Sequence, residues 1–136
     1  MTNRNLTKTS LAALAILLLT VAIASYLNFG RHTSRKIAAV AEIQILTIAI
    51  KEFKSDIGRY PTMDEGIKVL GEVTTNANGS FGPFIPHMRE SDPWGHSFVY
   101  KFPGVRSSKP FDIYSVGPDG KEGGGDDIGN WSNDEE

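Results

Sequence analysis

The feature that most constrains this chain is the charge-free stretch between Lys8 and Arg31. Residues 11–27 read LAALAILLLTVAIASYL. With Ser10, Asn28 and Phe29 the run reaches twenty residues, about 30 Å as a helix, which matches the hydrocarbon core of a bilayer. No Asp or Glu precedes Glu42, whereas Arg4, Lys8, Arg31, Arg35 and Lys36 flank the run. Two readings account for this. In one, the run is an uncleaved transmembrane helix stopped by Arg31, Arg35 and Lys36. In the other, it is a secretory signal peptide with Arg4 and Lys8 as its basic start, and Ala22 and Ala24 as the small residues before a cut at Ser25. The apolar continuation through Leu27 and Phe29 favours the anchor. Basic residues on the two flanks nearly balance, so the positive-inside rule does not orient it. The chain therefore divides into an N-terminal membrane anchor, residues 1–30, and a folded domain, residues 31–136.

At 136 residues the chain has room for one domain beside an anchor. The formal net charge of -2 argues against a nucleic-acid partner, which needs a basic face. Cysteine is absent, which excludes disulfides, thiolate metal sites and cysteine nucleophiles.

Beyond Gly30 the pattern becomes amphipathic. Ala39, Ile43, Leu46, Ile50, Phe53 and Ile57 recur at steps of four and three, which predicts one buried helical stripe. Ile37, Ala41, Ile45 and Ile48 widen the apolar arc beyond what one small partner needs, and some of it is expected to face the membrane or another subunit. Gly58 is placed to cap the helix. Thr62 and Glu65 form a capping box that predicts a short helix over residues 63–70, with Ile67 and Leu70 packing back on the long one. Residues 74–93 read as an irregular loop. SFVYKF (97–102) and PFDIYS (110–115) read as two strands of a hairpin. The fold class predicted is α+β, a long helix laid on a small antiparallel sheet.

After the second strand comes SVGPDGKEGGGDDIGNW, residues 115–131, with six glycines and four acidic side chains in seventeen positions. So many glycines exclude a helix. Two readings stand for the acids: a solvated turn, or a calcium loop in which carboxylates and backbone carbonyls share an ion. The spacing is not that of an EF-hand.

Three segments carry a family resemblance: FKSDIGRYPTMDEGIKVL (53–70), DPWGHSFVY (92–100) and DIYSVGPDGKEGGGDDIGNW (112–131). Their order and separations resemble those of the major pseudopilins of type II secretion, the protein G family, over about residues 37–131. The resemblance implies a pilin-like fold: a long helix whose first half is membrane-embedded, a short helix and a three-stranded sheet. It also implies a structural calcium ion in the C-terminal loop. The metal residues carried over are Asp119, with the Val116 carbonyl beside it, Asp127 in the terminal DIGNW, and Asp126 as an optional ligand, while Glu122 is expected to face water. Family precursors carry a cleaved glycine–phenylalanine junction and a glutamate inside the first helix. Here the first glycine is Gly30 and the first acid Glu42, so neither motif has a match.

Other residues read as structural. Trp94 in DPWG is expected to pack over the sheet edge, the alternative being a subunit contact, and Gly95 permits a positive backbone angle. Tyr60 is expected to cover the core. His32, His87 and His96 fit no zinc spacing, although His87 and His96 flank DPWG closely enough to meet. Asp56 and Asp64 suit helix-end roles. No catalytic constellation is visible, and the chain is expected not to be an enzyme.

The leading expectation is a pseudopilin-like assembly component of a type II secretion system. It would be single-pass in a bacterial inner membrane through residues 11–29, with its C-terminal domain in the periplasm. Its partners would be other pseudopilin-like subunits, including further copies of itself, and inner-membrane secretion components. The alternative is a stand-alone calcium-stabilised interaction module, tethered or secreted, that joins no filament.

Overall fold

The structure is a computed structural model that describes residues 3–76 and 78–131, with side chains from Ala13 onward except that of Asn76. The chain divides into two compact units, Met1–Ser34 and Arg35–Glu136.

In the first unit the charge-free run is helical, as its composition predicts. It belongs to α1, Asn3–Ile57. The apolar side chains Leu14, Ile16, Leu17, Leu18, Leu19, Val21, Ile23 and Leu27 all point outward. Exposed leucine and isoleucine on every side is the pattern of a helix whose solvent is lipid. The helix is long and apolar enough to cross a membrane.

In the second unit, α1 buries Ala39, Ile43, Leu46, Ala49, Ile50 and Phe53. This is the stripe set by the four-and-three spacing. Phe53 is fully buried, which contributes about 2–3 kcal/mol, and its ring lies 5.5 Å from that of Phe84. Ile57, the last member of the stripe, packs at the core's margin. The wider arc does not join the core. Ile37, Ile45 and Ile48 are 65%, 54% and 57% exposed, and Ala41 is exposed with them.

Helix α1 ends at Gly58, whose N–H donates to the Lys54 carbonyl at 3.0 Å while its φ is +89°. The capping box then forms reciprocally. The Thr62 N–H donates to Glu65 Oε2 at 2.7 Å, and the Glu65 N–H donates to Thr62 Oγ1 at 3.3 Å. The helix predicted over 63–70 does not follow. Gly66 takes φ +56° after a single turn, and only a 3-10 turn, Lys68–Gly71, remains. A left-handed residue cannot continue a right-handed helix. Ile67 and Leu70 are buried in the core nonetheless.

The stretch expected to be irregular contains a ribbon of β1, Thr74–Asn76, and β2, Gly79–Phe81. The main sheet has the order β3-β4-β5, built from Val99–Lys101, Asp112–Ser115 and Ile128–Gly129, and is antiparallel throughout. Strand β4 is central and wholly buried. Phe98 and Tyr100 alternate inward, and the Tyr100 hydroxyl donates to the Pro61 carbonyl at 3.0 Å. Tyr60 covers the sheet, its ring 5.5 Å from that of Phe111.

Arg59 grips the capping box from outside, donating through both guanidinium nitrogens to Glu65 at 2.7 Å each. These bonds are the largest cause that lowers the Glu65 carboxyl from 4.5 to about 2. A depressed carboxyl stabilises the fold above its unfolded value and stops doing so as pH falls through the folded one. The pair is partly solvent-screened, which holds its worth to about 1 kcal/mol. Glu65→Gln should therefore lower the melting temperature at pH 7 by about 4 °C. That gap should close between pH 4.5 and about 2, read by thermal unfolding across that range.

Candidate metal loop

Two acidic side chains position the C-terminal loop before any of its own residues are considered. Asp112 sits in β4 among apolar neighbours, and its side chain folds back on the β3–β4 connection. It accepts from the N–H groups of Val105 at 2.6 Å, Arg106 at 2.8 Å and Ser107 at 2.9 Å, and from Ser107 Oγ at 2.6 Å. Burial alone would raise its pKa, but the Ser107 hydroxyl and these N–H groups outweigh burial and hold it below the ordinary value. Gly104 begins the connection where a Cβ would lie 2.7 Å from the Lys109 carbonyl oxygen, so only glycine fits.

Asp92 does the same for DPWG. Its Oδ1 accepts from the N–H of Trp94 at 3.0 Å and of His96 at 2.9 Å, and its Oδ2 accepts from Ser115 Oγ at the end of β4. Gly95 takes φ +95° in this turn, and Trp94 packs against the core. Ser115 Oγ in turn accepts the Gly117 N–H at 3.0 Å, while His96 Nδ1 bonds the Gly117 carbonyl at 2.9 Å. The loop's first residues are thus tied to DPWG, a tie that residue spacing did not disclose. His87 lies elsewhere, in a cleft of about 180 Å³ with Glu42, Arg89, Leu46, Ile85 and Phe98. That cleft offers no hydroxyl or thiol nucleophile. Burial raises the Glu42 carboxyl, against the pull of Arg89.

Glu122, within the loop itself, is exposed as expected but not free. Its Oε1 accepts from Lys101 Nζ and, at 2.6 Å, from the Tyr114 hydroxyl. Lys101 is the first cause that lowers the Glu122 carboxyl.

The remaining carboxylates divide into two sets. Asp119 and Asp126 converge over Gly124. A Cβ built there would lie 2.5 Å from Asp119 Oδ2 and 2.8 Å from Asp126 Oδ1, so glycine leaves a small space that both oxygens enter. A Cβ on Gly117, next to buried Val116, would likewise meet Asp126 Oδ2 at 2.6 Å. Asp119 Oδ1 is satisfied by the Lys121 N–H at 2.8 Å, and Asp126 Oδ2 takes the Asp119 N–H at 3.2 Å. Asp126 Oδ1 is buried with no hydrogen-bond partner among the described residues. Asp127 has a partner from outside the loop. Its Oδ2 accepts from Arg106 Nη1 at 2.6 Å and from the Gly123 N–H at 2.9 Å. The resemblance puts Asp119 and Asp127 at the centre and Asp126 at the margin; the structure draws Asp119 and Asp126 together over Gly124 and sets one Asp127 oxygen on Arg106, while Asp127 Oδ1, like Asp126 Oδ1, is buried without a hydrogen-bond partner among the described residues.

Among the described residues no three His, Cys, Asp or Glu side chains gather as a ligand set. Two converging carboxylates, one oxygen without a proton donor and a glycine-lined space are the fit that a hard cation needs, provided carbonyls and water complete its shell.

The loop closes on β5. Asn130 donates its N–H to the Ile113 carbonyl at 3.0 Å and its Nδ2 to the Phe111 carbonyl at 2.9 Å. Trp131 lies over Gly129, with its ring 5.2 Å from that of Tyr114. Removing the Asp112 carboxylate would orphan three N–H groups at once. Asp112→Ala should thus cost about 3 kcal/mol, against under about 1 kcal/mol for Asp56→Ala, measured by urea denaturation.

The chain as a whole is similar to known proteins. The family described as Type II secretion system (T2SS), protein G matches residues 29–131. The type II secretion system core protein G of Pseudomonas aeruginosa is 36% identical over 102 residues, covering 70% of each chain. That of Vibrio cholerae is 38% identical over 100 residues, 69% of this chain and 66% of its own. That of Escherichia coli K12 is 35% identical over 106 residues, 75% and 71%. Among solved structures, the major pseudopilin from the type 2 secretion system of enterohaemorrhagic Escherichia coli superposes with a TM-score of 0.62 at 28% identity, covering 75% of this chain and 87% of that one.

Proposed function

The chain belongs to the protein G family of type II secretion systems, and from that premise we propose that it works by assembly, as a pseudopilin-like structural subunit held in the inner membrane by residues 11–29. The observation that carries this is the two-faced helix. Its stripe Ala39–Ile43–Leu46–Ile50–Phe53 is consumed by the domain's own core, while Ile37, Ala41, Ile45 and Ile48 remain exposed on the same helix. A monomer gains nothing from a second apolar face, whereas a packed array of helices buries it. The domain lies on the periplasmic side in this reading, and its partners are further copies of this chain and other subunits of the secretion machinery. The absence of native cysteine makes a direct test simple. Cysteine pairs placed along residues 14–27 of the full chain, oxidised in the membrane of the producing bacterium, should give a ladder of regular multiples. Dimers alone, or no crosslink, would favour the tethered stand-alone module.

Calcium is the second part of the reading. Asp119 and Asp126 would hold it, with backbone carbonyls such as that of Val116 and water as further ligands. Bound there, the ion supplies the positive charge that two facing carboxylates lack. The support is the orphan Asp126 Oδ1 and the space over Gly124. Asp119 and Asp126 also hold the loop's backbone themselves, through the Lys121 and Asp119 N–H groups, so the ion adds to an existing turn. Calcium should raise the melting temperature of the full chain in detergent micelles. Asp119→Asn with Asp126→Asn should abolish that rise, and so should Gly124→Ala, whose methyl would fill the space. Equal melting temperatures in calcium and in chelator for the unsubstituted chain would refute the metal.

A further inference from the structure

Four carboxylates lie between residues 119 and 127, and the structure meets two of them with cations of its own. Lys101 takes Glu122 from the outside. Arg106 takes Asp127 from within a more enclosed setting. Its guanidinium lies 4.4 Å from the Trp131 ring centroid and 5.0 Å from that of Tyr114. Its N–H is held by Asp112, and its Nη1 donates to Asp127, a side chain only 3% exposed. Asp127 in turn receives the Gly123 N–H, so the guanidinium reaches across the loop to its glycine run. Stacking on two rings orients the planar group, and the low exposure of Asp127 makes its charge expensive to leave unmatched.

We infer that Arg106 is a resident cation of this loop, a positioning residue that holds Asp127 and the Gly123 backbone so that the β5 end stays closed when no metal ion is bound. Only the Asp119–Asp126 half is then left for an external ion. That last clause rests on the calcium reading above; the role of Arg106 does not. Asp127 Oδ1 is also buried without a partner among the described residues, so the rival arrangement has Asp127 as a ligand of the ion instead of a partner of Arg106.

Exposed Lys121 lies in the loop and provides the readout. Trypsin acting on the full chain in detergent micelles releases residues 122–136, which mass spectrometry follows. In chelator the unsubstituted chain should be cut slowly, Arg106→Met on the order of tenfold faster, and Arg106→Lys close to the unsubstituted rate. The lysine variant separates charge from packing, since it keeps the charge and loses the planar stack. Arg106→Met cut no faster than the unsubstituted chain would overturn the inference, and so would Arg106→Lys cut as fast as Arg106→Met. Should Arg106→Met fail to fold, Asp127→Asn serves from the other side: it should be cut faster in chelator yet keep the protection that calcium adds. Loss of that calcium response in Asp127→Asn would make Asp127 an ion ligand and overturn the assignment. If no variant responds to calcium while the chelator difference between Arg106 and Met stands, Arg106 keeps its role and the metal reading fails.

Discussion

Buried or half-buried carboxylates must be matched, and in this domain they are what holds the loops. The sheet strands are three, four and two residues long, too short for backbone ladders to organise the connections between them. Side-chain acids do it instead by collecting backbone N–H groups. Asp92 takes two around DPWG, and Asp112 takes three on the β3–β4 connection. Each of these turns closes because its acid finds enough donors. The C-terminal loop breaks the pattern. Among the described residues, Asp119, Asp126 and Asp127 each receive a single backbone N–H, from Lys121, Asp119 and Gly123. With donors short, charge must be met by cations, and Arg106 and Lys101 meet part of it.

The parts of the fold governed by periodicity were legible in the sequence. The Ala39-to-Phe53 stripe, the inward Phe98 and Tyr100, and the Thr62–Glu65 box all follow from spacing and local capping chemistry. The short helix after Thr62 did not form because Gly66 turns left-handed, and a capping box reports only where a helix can start. The β1–β2 ribbon was hidden because its six paired residues are polar or glycine except for Phe81, with no apolar alternation to read. In the loop, the acidic and glycine-rich character was plain, but the division of labour among its aspartates was not. That division depends on Arg106, which is twenty-one residues from Asp127 and reaches it only through the β3–β4 hairpin. Asp112 was the available clue: a charged residue inside a strand, with Phe111 and Ile113 on either side, is tolerated only where it has donors.

Helix α1 links these local devices to function. Its first unit is outward-apolar, as a lipid-embedded segment is, and its second presents one stripe to the domain and another to the exterior. A domain that must pack repeatedly against neighbours benefits from loops that keep one shape, because an interface formed by a mobile loop loses ordering entropy on each addition. Cation closure of the C-terminal loop is a means to that end. Arg106 makes the closure intrinsic, and a calcium ion at Asp119 and Asp126 would tighten it.

Amide hydrogen exchange of the full chain in micelles, with calcium and with chelator, tests this two-part closure most directly. The account predicts that in chelator the amide of Asn130, bonded to the Ile113 carbonyl, is already protected. Calcium should then slow exchange only within residues 117–126, leaving the core face of α1 unchanged. An unprotected Asn130 amide in chelator, or identical exchange in the two conditions across 117–126, would contradict it.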